Sequence, residues 1–261
     1  MESRKMKVIS VPDQPEELPQ EVITDALTQD RVIAAALIED IVEWRIPPGS
    51  WIREREIAKR FEVSHAPVRE AFRQIANIGL VEVVPWRGAR VAVIDKQATI
   101  EILELWKSLF GVVCRLASQR MTDSEAEQLV ARVKEFTAIA HATRNTFDHL
   151  AVSNRIGAYI AHCARAPQSK TLLDRVAIVA KWQQRIISQK FLEDLPVAPA
   201  LKSAEIYERL CAAIKARQPD KADELARALI GNLQDYYQEA LATYLDAQAV
   251  EQARRKPPRR K

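Results

Sequence analysis

Arginine's planar fork meets phosphates and guanine edges alike, and Arg53, Arg55, Arg69, Arg73 and Arg87 recur within residues 46–91. Residues that end and begin helices stand between them: Pro47-Pro48-Gly49, Ser64, Pro67, Gly79 and Gly88. Ser64 has the hydroxyl of a helix N-cap, able to accept an orphan amide, and Pro67 suits a first turn where no amide donor is needed. The helix begun there offers His65, Ala66, Arg69 and Arg73 outward, with no apolar partner to cover them. Amides at a helix N-terminus and arginines meet phosphates, while one or two side chains reach base edges in a major groove. Each arginine taken singly fits a solvated helix face equally well. The ordered set of breakers, cap and charges favours a nucleic acid.

Periodicity supplies the elements that must position these side chains. Val32, Ile33, Ala36, Leu37, Ile41 and Val42 recur at helical spacing between Thr24 and Trp44. Residues 45–50 break that helix. A short helix over Glu54–Phe61 and a second from about Pro67 to Ile78 follow, packed through Ile57, Ala58, Phe61, Val63, Val68, Ala71, Phe72 and Ile75. Gly79 stands where a C-cap is wanted. Leu80 to Pro85 reads as a strand, Trp86-Arg87-Gly88 as a tight turn, and Ala89 to Ile94 as the returning strand. The order is a winged helix-turn-helix with a small β-hairpin wing. Beyond it the pattern is all helix, over 97–119, 123–144, 147–164, 168–191, 200–217 and 219–247. The fold class expected is mostly α: an N-terminal winged helix and a C-terminal all-α bundle. The divisions expected are a flexible arm at 1–23, the winged helix at 24–95, a helical sensing and dimerisation domain at 96–247, and a basic disordered tail at 248–261.

The segment around the arginines resembles the GntR family of bacterial transcription regulators. The matching residues are Pro48-Gly49, Arg55-Glu56-Ile57-Ala58, Val63-Ser64, Pro67-Val68-Arg69-Glu70-Ala71, Gly79-Leu80 and Arg87-Gly88-Ala89. The resemblance implies that Arg55 and Arg69 contact DNA, mostly phosphate and flanking base edges. It places Ser64, His65 and Ala66 at the tip of the recognition helix and makes Arg87-Gly88 the wing, reaching toward the minor groove. Two departures stand out. The family usually has Arg at His65 and Thr or Ser at Ala66, so the usual guanine preference is in doubt, while Ala66 retains contact with a thymine methyl as an option.

The helical half resembles the sensing domain of the FadR-like branch of that family. Thr99 to Ala117 matches its first helix. Asn154 and Ala158 fall where the branch has Asp-x-x-x-His, Tyr207 where it has a second His, and Leu229 where a third projects inward. Many members hold a divalent metal with one Asp and three His. Ala and Leu have no donor, and Asn and Tyr are weak ones, so neither a metal nor another cofactor is expected. Trp106 and Phe110 stand where an Arg and a Glu commonly occur, which implies a more apolar cavity. That cavity either takes an altered ligand or has filled with side chains. His162, one turn beyond Ala158, and Arg185 complete the candidate effector pocket. For His162 a hydrogen-bonded core residue, and for Arg185 a surface ion pair, are the bland alternatives.

Composition narrows the function classes. Apolar residues make up 48% and charged residues 28%, with only six glycines, an ordinary globular balance with little room for a Gly-rich nucleotide fold. No apolar run is long enough for a membrane span and no secretory h-region is evident. Cys114, Cys163 and Cys211 lie far apart without a CxxC, which fits a reducing cytoplasm. The net charge of +4 is largely a tail effect, since residues 246–261 hold six basic and two acidic groups. That tail either adds sequence-independent DNA affinity or only aids solubility. No nucleophile–base pair, phosphate loop or HExxH supports an enzyme. The expected function is a dimeric regulator that binds a palindromic double-stranded operator and answers to a small-molecule effector. The alternative is an architectural DNA-binding protein with a vestigial sensor.

Overall fold

A computed structural model describes residues 20–143, 146–190, 198–232 and 234–255. The chain opens with α1 (Gln20–Val42), β1 (Trp51–Ile52), α2 (Glu54–Phe61), α3 (His65–Ile78), β2 (Val81–Val84) and β3 (Gly88–Val91). Seven helices follow: α4 (Lys96–Arg120), α5 (Asp123–Ala142), α6 (Thr146–Cys163), α7 (Pro167–Lys190), α8 (Ala198–Lys215), α9 (Pro219–Gly231) and α10 (Gln234–Arg255).

Helices α2 and α3 pack because their apolar residues share one face: Ile57 and Ala58 of α2, and Val68, Ala71, Phe72 and Ile75 of α3, are all buried. Ile33, Leu37 and Ile41 of α1 close the same core from behind. Gly79 ends α3 with φ +96°, the left-handed C-cap that glycine adopts without steric cost. The wing is larger than the expected hairpin. The Trp51–Ile52 segment adds a third antiparallel strand, pairing Trp51 with Arg90 and Ile52 with Ala89, so the sheet order is β1-β3-β2. Asp40 at the end of α1 accepts from Arg45 and Arg60, both at 2.6 Å, and so ties α1 to α2.

The bundle starts at Asp95, whose carboxylate caps α4 by accepting from the amides of Gln97 and Ala98. Thr122 and Glu125 form a reciprocal capping box at the start of α5. Helices α4 and α9 lie close at Gly111, where a Cβ would collide with Asp223. The cysteines are free and buried.

Several boundaries moved. Helix α3 begins at His65, two residues before the expected start, with Pro67 still in its first turn. The single helix expected over 219–247 is two, because α9 stops at Gly231 before α10 begins at Gln234. Helix α10 then runs to Arg255, so the segment expected to be disordered from 248 is helical as far as it is described. Helix α1 starts at Gln20, inside the expected arm; the rest of that arm, and residues 256–261 of the tail, lie outside the described residues.

The reading head and the bundle share a core. Val179, Trp182 and Ile186 of α7 and Tyr237 and Leu241 of α10 belong to the same buried cluster as Leu37, Phe72 and Leu80. The indole of Trp44 donates to the carbonyl of Trp182 at 3.1 Å, and Glu43 pairs with Arg185 at 2.8 Å.

Candidate functional site

The N-terminal end of α3 and the turn of the wing face each other across an open cleft of about 810 Å³. Its walls carry Arg53, Arg55, His65, Arg69, Arg87 and Gly88, so the arginines scattered in sequence converge in space. Arg73 extends the row along α3: residues 65, 69 and 73 step by four and stay near one face. Arg73 is exposed and pairs with Glu70 at 3.1 Å. Ala66 is exposed beside His65.

One acid interrupts this basic surface. Glu54 accepts from Arg69 Nε at 2.9 Å and lies 3.5 Å from His65 Nδ1. Bonding through Nε leaves the outer guanidinium nitrogens of Arg69 for an anion. Arg53 lies 4.0 Å from Glu56, and Arg55 and Arg87 have no ion-pair partner among the described residues. Ser64 is the N-cap residue by backbone geometry, but its side chain makes no cap hydrogen bond, contrary to expectation. Its hydroxyl is therefore available to a phosphate.

Gly88 explains the turn of the wing. Its φ is +99°, and a Cβ there would strike the backbone carbonyl of Ile52. Only glycine lets β3 lie this close to β1. Sequence reasoning missed Trp51, Glu54, Pro85 and Trp86 in the same cleft. The missed strand explains Trp51; Trp86 had been taken only as a turn residue.

A second cavity of about 130 Å³ lies inside the bundle. Trp106 and Phe110 of α4, Asn154 and Ala158 of α6, Tyr207 of α8 and Leu229 of α9 all line it. The positions matched to the metal-holding pattern thus converge, although their chemistry does not suit a metal. Ala158 and Leu229 offer no donor. The Tyr207 hydroxyl lies 2.7 Å from Ser153 Oγ and donates to the Ser153 carbonyl at 3.2 Å. Burial pushes that hydroxyl above its ordinary pKa, so it remains a neutral phenol. Among the described residues no cluster of three or more His, Cys, Asp or Glu side chains is placed to hold an ion.

Two expected pocket residues lie elsewhere. His162 is exposed and absent from the cavity wall, where Ala161 stands instead. The α-helix turns about 400° in four residues, so each four-residue step drifts roughly 40°, and two steps from Asn154 carry position 162 off the inward face. Arg185 lines an adjoining cleft of about 210 Å³ with Glu43, Asn154, Lys181 and Gln184. It is held there by Glu43 at the junction of the two domains.

Lys181 and Gln184 of α7 line both the cavity and this cleft. Sequence reading passed over them, although 177, 181 and 184 repeat at helical spacing. Gln184 is 5% exposed, and neither it nor Asn154 has a side-chain hydrogen bond among the described residues. The cavity therefore offers an apolar floor and an unsatisfied amide rim, the composition expected of a small-molecule site.

Comparison with known proteins gives a consistent picture. Residues 29–91 match the model for bacterial regulatory proteins of the gntR family, and residues 101–232 match the model for the FCD domain. The chain is 37% identical over 93 residues to the HTH-type transcriptional repressor RspR of Escherichia coli K12, covering 36% of this chain and 41% of that one. It is 37% identical over 82 residues to a probable D-xylose utilization operon transcriptional repressor of Paenarthrobacter nicotinovorans, covering 31% and 36%. The matches to these relatives thus span about two fifths of their length. Among solved structures, E. coli McbR/YncC superposes with a TM-score of 0.66 at 16% identity, over 81% of this chain and 97% of that one. At that identity the likeness shows the fold.

Proposed function

The chain belongs to the gntR family of bacterial regulatory proteins and carries an FCD domain, and from that premise we propose that it is a transcriptional regulator that binds a palindromic operator as a dimer. The observation that carries this reading is the cleft between α3 and the wing, where Arg53, Arg55, Arg69 and Arg87 converge with one acid among them. Helix α3 enters the major groove by its N-terminal end. Ser64, Arg55 and Arg69 hold phosphates, while His65 and Ala66 meet base edges. With His65 at the reading tip, the operator centre departs from an arginine–guanine code.

A two-fold protein places two such heads about one DNA turn apart. The exposed Leu105 and Val112 of α4, seven residues apart and so on one face, and Leu172 of α7 supply the apolar surface for a dimer contact. The effector is small, metal-independent and largely apolar, seated on Trp106 and Phe110 and bonded by Asn154 and Gln184. The open cavity and its unsatisfied amides support a working sensor over a vestigial one. Because Arg185 and Lys181 adjoin both the cavity and α1, an effector that prefers one arrangement of that junction shifts the placement of the heads.

The test is selection of bound duplexes from a random pool, followed by footprinting on the winning site. Enrichment of an inverted repeat protected on both half-sites is the expected result. Binding that falls with salt yet enriches no sequence would replace this reading with the architectural one.

A further inference from the structure

The wing ends in a backbone conformation that suits its residue poorly. Val84-Pro85-Trp86-Arg87 is a β-turn, closed by the Arg87 amide donating to the Val84 carbonyl at 3.1 Å. Proline occupies the second position, which its fixed φ favours. Trp86 occupies the third with φ +65°, where a turn of this kind ordinarily takes glycine or asparagine. A bulky residue held there is sterically crowded, and such outliers gather at functional sites. No internal contact compensates: Trp86 is 104% exposed, and its ring has no aromatic or cation partner among the described residues. An indole kept both in left-handed backbone and in water has its partner outside the chain.

The surroundings identify that partner. Trp86 lines the same cleft as Arg53, Arg55, Arg69 and Arg87, and the one acid there, Glu54, is already engaged by Arg69. A flat apolar ring flanked by phosphate-seeking cations matches a polyanion with stackable faces, which is duplex DNA.

We propose that Trp86 is a wedge that enters the minor groove beside the half-site, stacks at a base step and bends the duplex. The inference rests on the cleft being a DNA interface. Wedge residues unstack a step partially and kink DNA toward the major groove. The step that deforms most readily is pyrimidine–purine. Trp86 therefore adds specificity outside the bases read by α3, as a preference for TA or CA at the flank.

The experiment uses the full chain and the duplex obtained by selection, with end-to-end energy transfer reporting the bend and 2-aminopurine at the flanking step reporting unstacking. Trp86→Gly suits the turn, so the free variant melts no lower than the parent. It is expected to lose the bend and the 2-aminopurine signal and to bind about tenfold more weakly, as for loss of one base–aromatic stack. Trp86→Phe keeps most of all three. Equal bend and affinity in Trp86→Gly would overturn the wedge while leaving the DNA reading intact, and would point to a protein partner for the indole. A parent chain that selects no duplex would instead overturn the reading of the cleft, and the wedge with it.

Discussion

At the scale of single residues, the most informative side chain is Arg69. It is exposed, bonded through Nε to Glu54, and sits one turn into the recognition helix. Arg69→Ala is expected to weaken operator binding by ~1–3 kcal/mol, the range for losing a charged groove contact, measured by mobility-shift titration at fixed salt. Unchanged affinity would remove Arg69 from the interface. Asp40 makes a different kind of prediction. Burial acts to raise its pKa, but the hydrogen bonds from Arg60 and Arg45 outweigh it and hold the carboxyl below its ordinary value. The sign follows from linkage: a carboxyl depressed in the folded state stabilises the fold above its unfolded pKa, about 4, and that contribution fades as pH falls through the folded value. The melting temperature of the chain should therefore drop below pH 4 more steeply than that of Asp40→Asn. Parallel acid profiles for the two proteins would show that the Arg45–Asp40–Arg60 cluster adds nothing.

At the scale of elements, α7 is the joint of the molecule. One stretch of it, Val179 to Ile186, packs against the reading head, while Ala177, Lys181 and Gln184 line the sensor cavity. Trp182 is 2% exposed and gives its carbonyl to Trp44. Trp182→Ala is expected to cost about 3–5 kcal/mol, the range for truncating a large buried aromatic. The distinctive outcome is in the shape of urea unfolding. The parent loses reading head and bundle in one transition, whereas the variant shows two, because the shared core no longer couples them. A single transition shifted to lower urea would mean that the remaining contacts suffice. The wing shows the same dependence on close approach: Gly88→Ala places a methyl against the Ile52 carbonyl and is expected to lower operator affinity while leaving the bundle's melting intact.

At the scale of the whole molecule, the outward faces of α4 and α7 are the candidate seam. Leu105, Val112 and Leu172 are 44%, 39% and 52% exposed, more apolar surface than a solvated helix face needs. Sedimentation equilibrium at micromolar protein is expected to give a dimer. The paired change Leu105→Glu and Val112→Glu should give a folded monomer that binds a half-site but has lost its advantage on the full inverted repeat. A parent monomer both with and without DNA would remove the two-fold arrangement. A dimer unaffected by the paired change would move the seam elsewhere.

What the sequence by itself determined was local. The breakers at Pro47-Pro48-Gly49 and Gly79, the apolar faces of α2 and α3 and the turn before Gly88 prescribe a winged helix, because caps, turns and periodicity act over a few residues. The convergence of Asn154, Ala158, Tyr207 and Leu229 on one cavity was legible through the family resemblance and not through spacing, since these residues come from three helices. Tertiary structure decided what depends on distant partners. A two-residue strand at Trp51–Ile52 has no periodicity to announce it and exists because β3 offers a free edge. The Ser64 hydroxyl makes no cap bond, although its type suits that role. His162 faces outward because helical drift accumulates over two turns. Arg185 went to Glu43 because α7 lies against the end of α1, a pairing between residues 142 positions apart in sequence. Contacts of that kind are set by how helices pack, and no local pattern encodes which side chains the packing brings together.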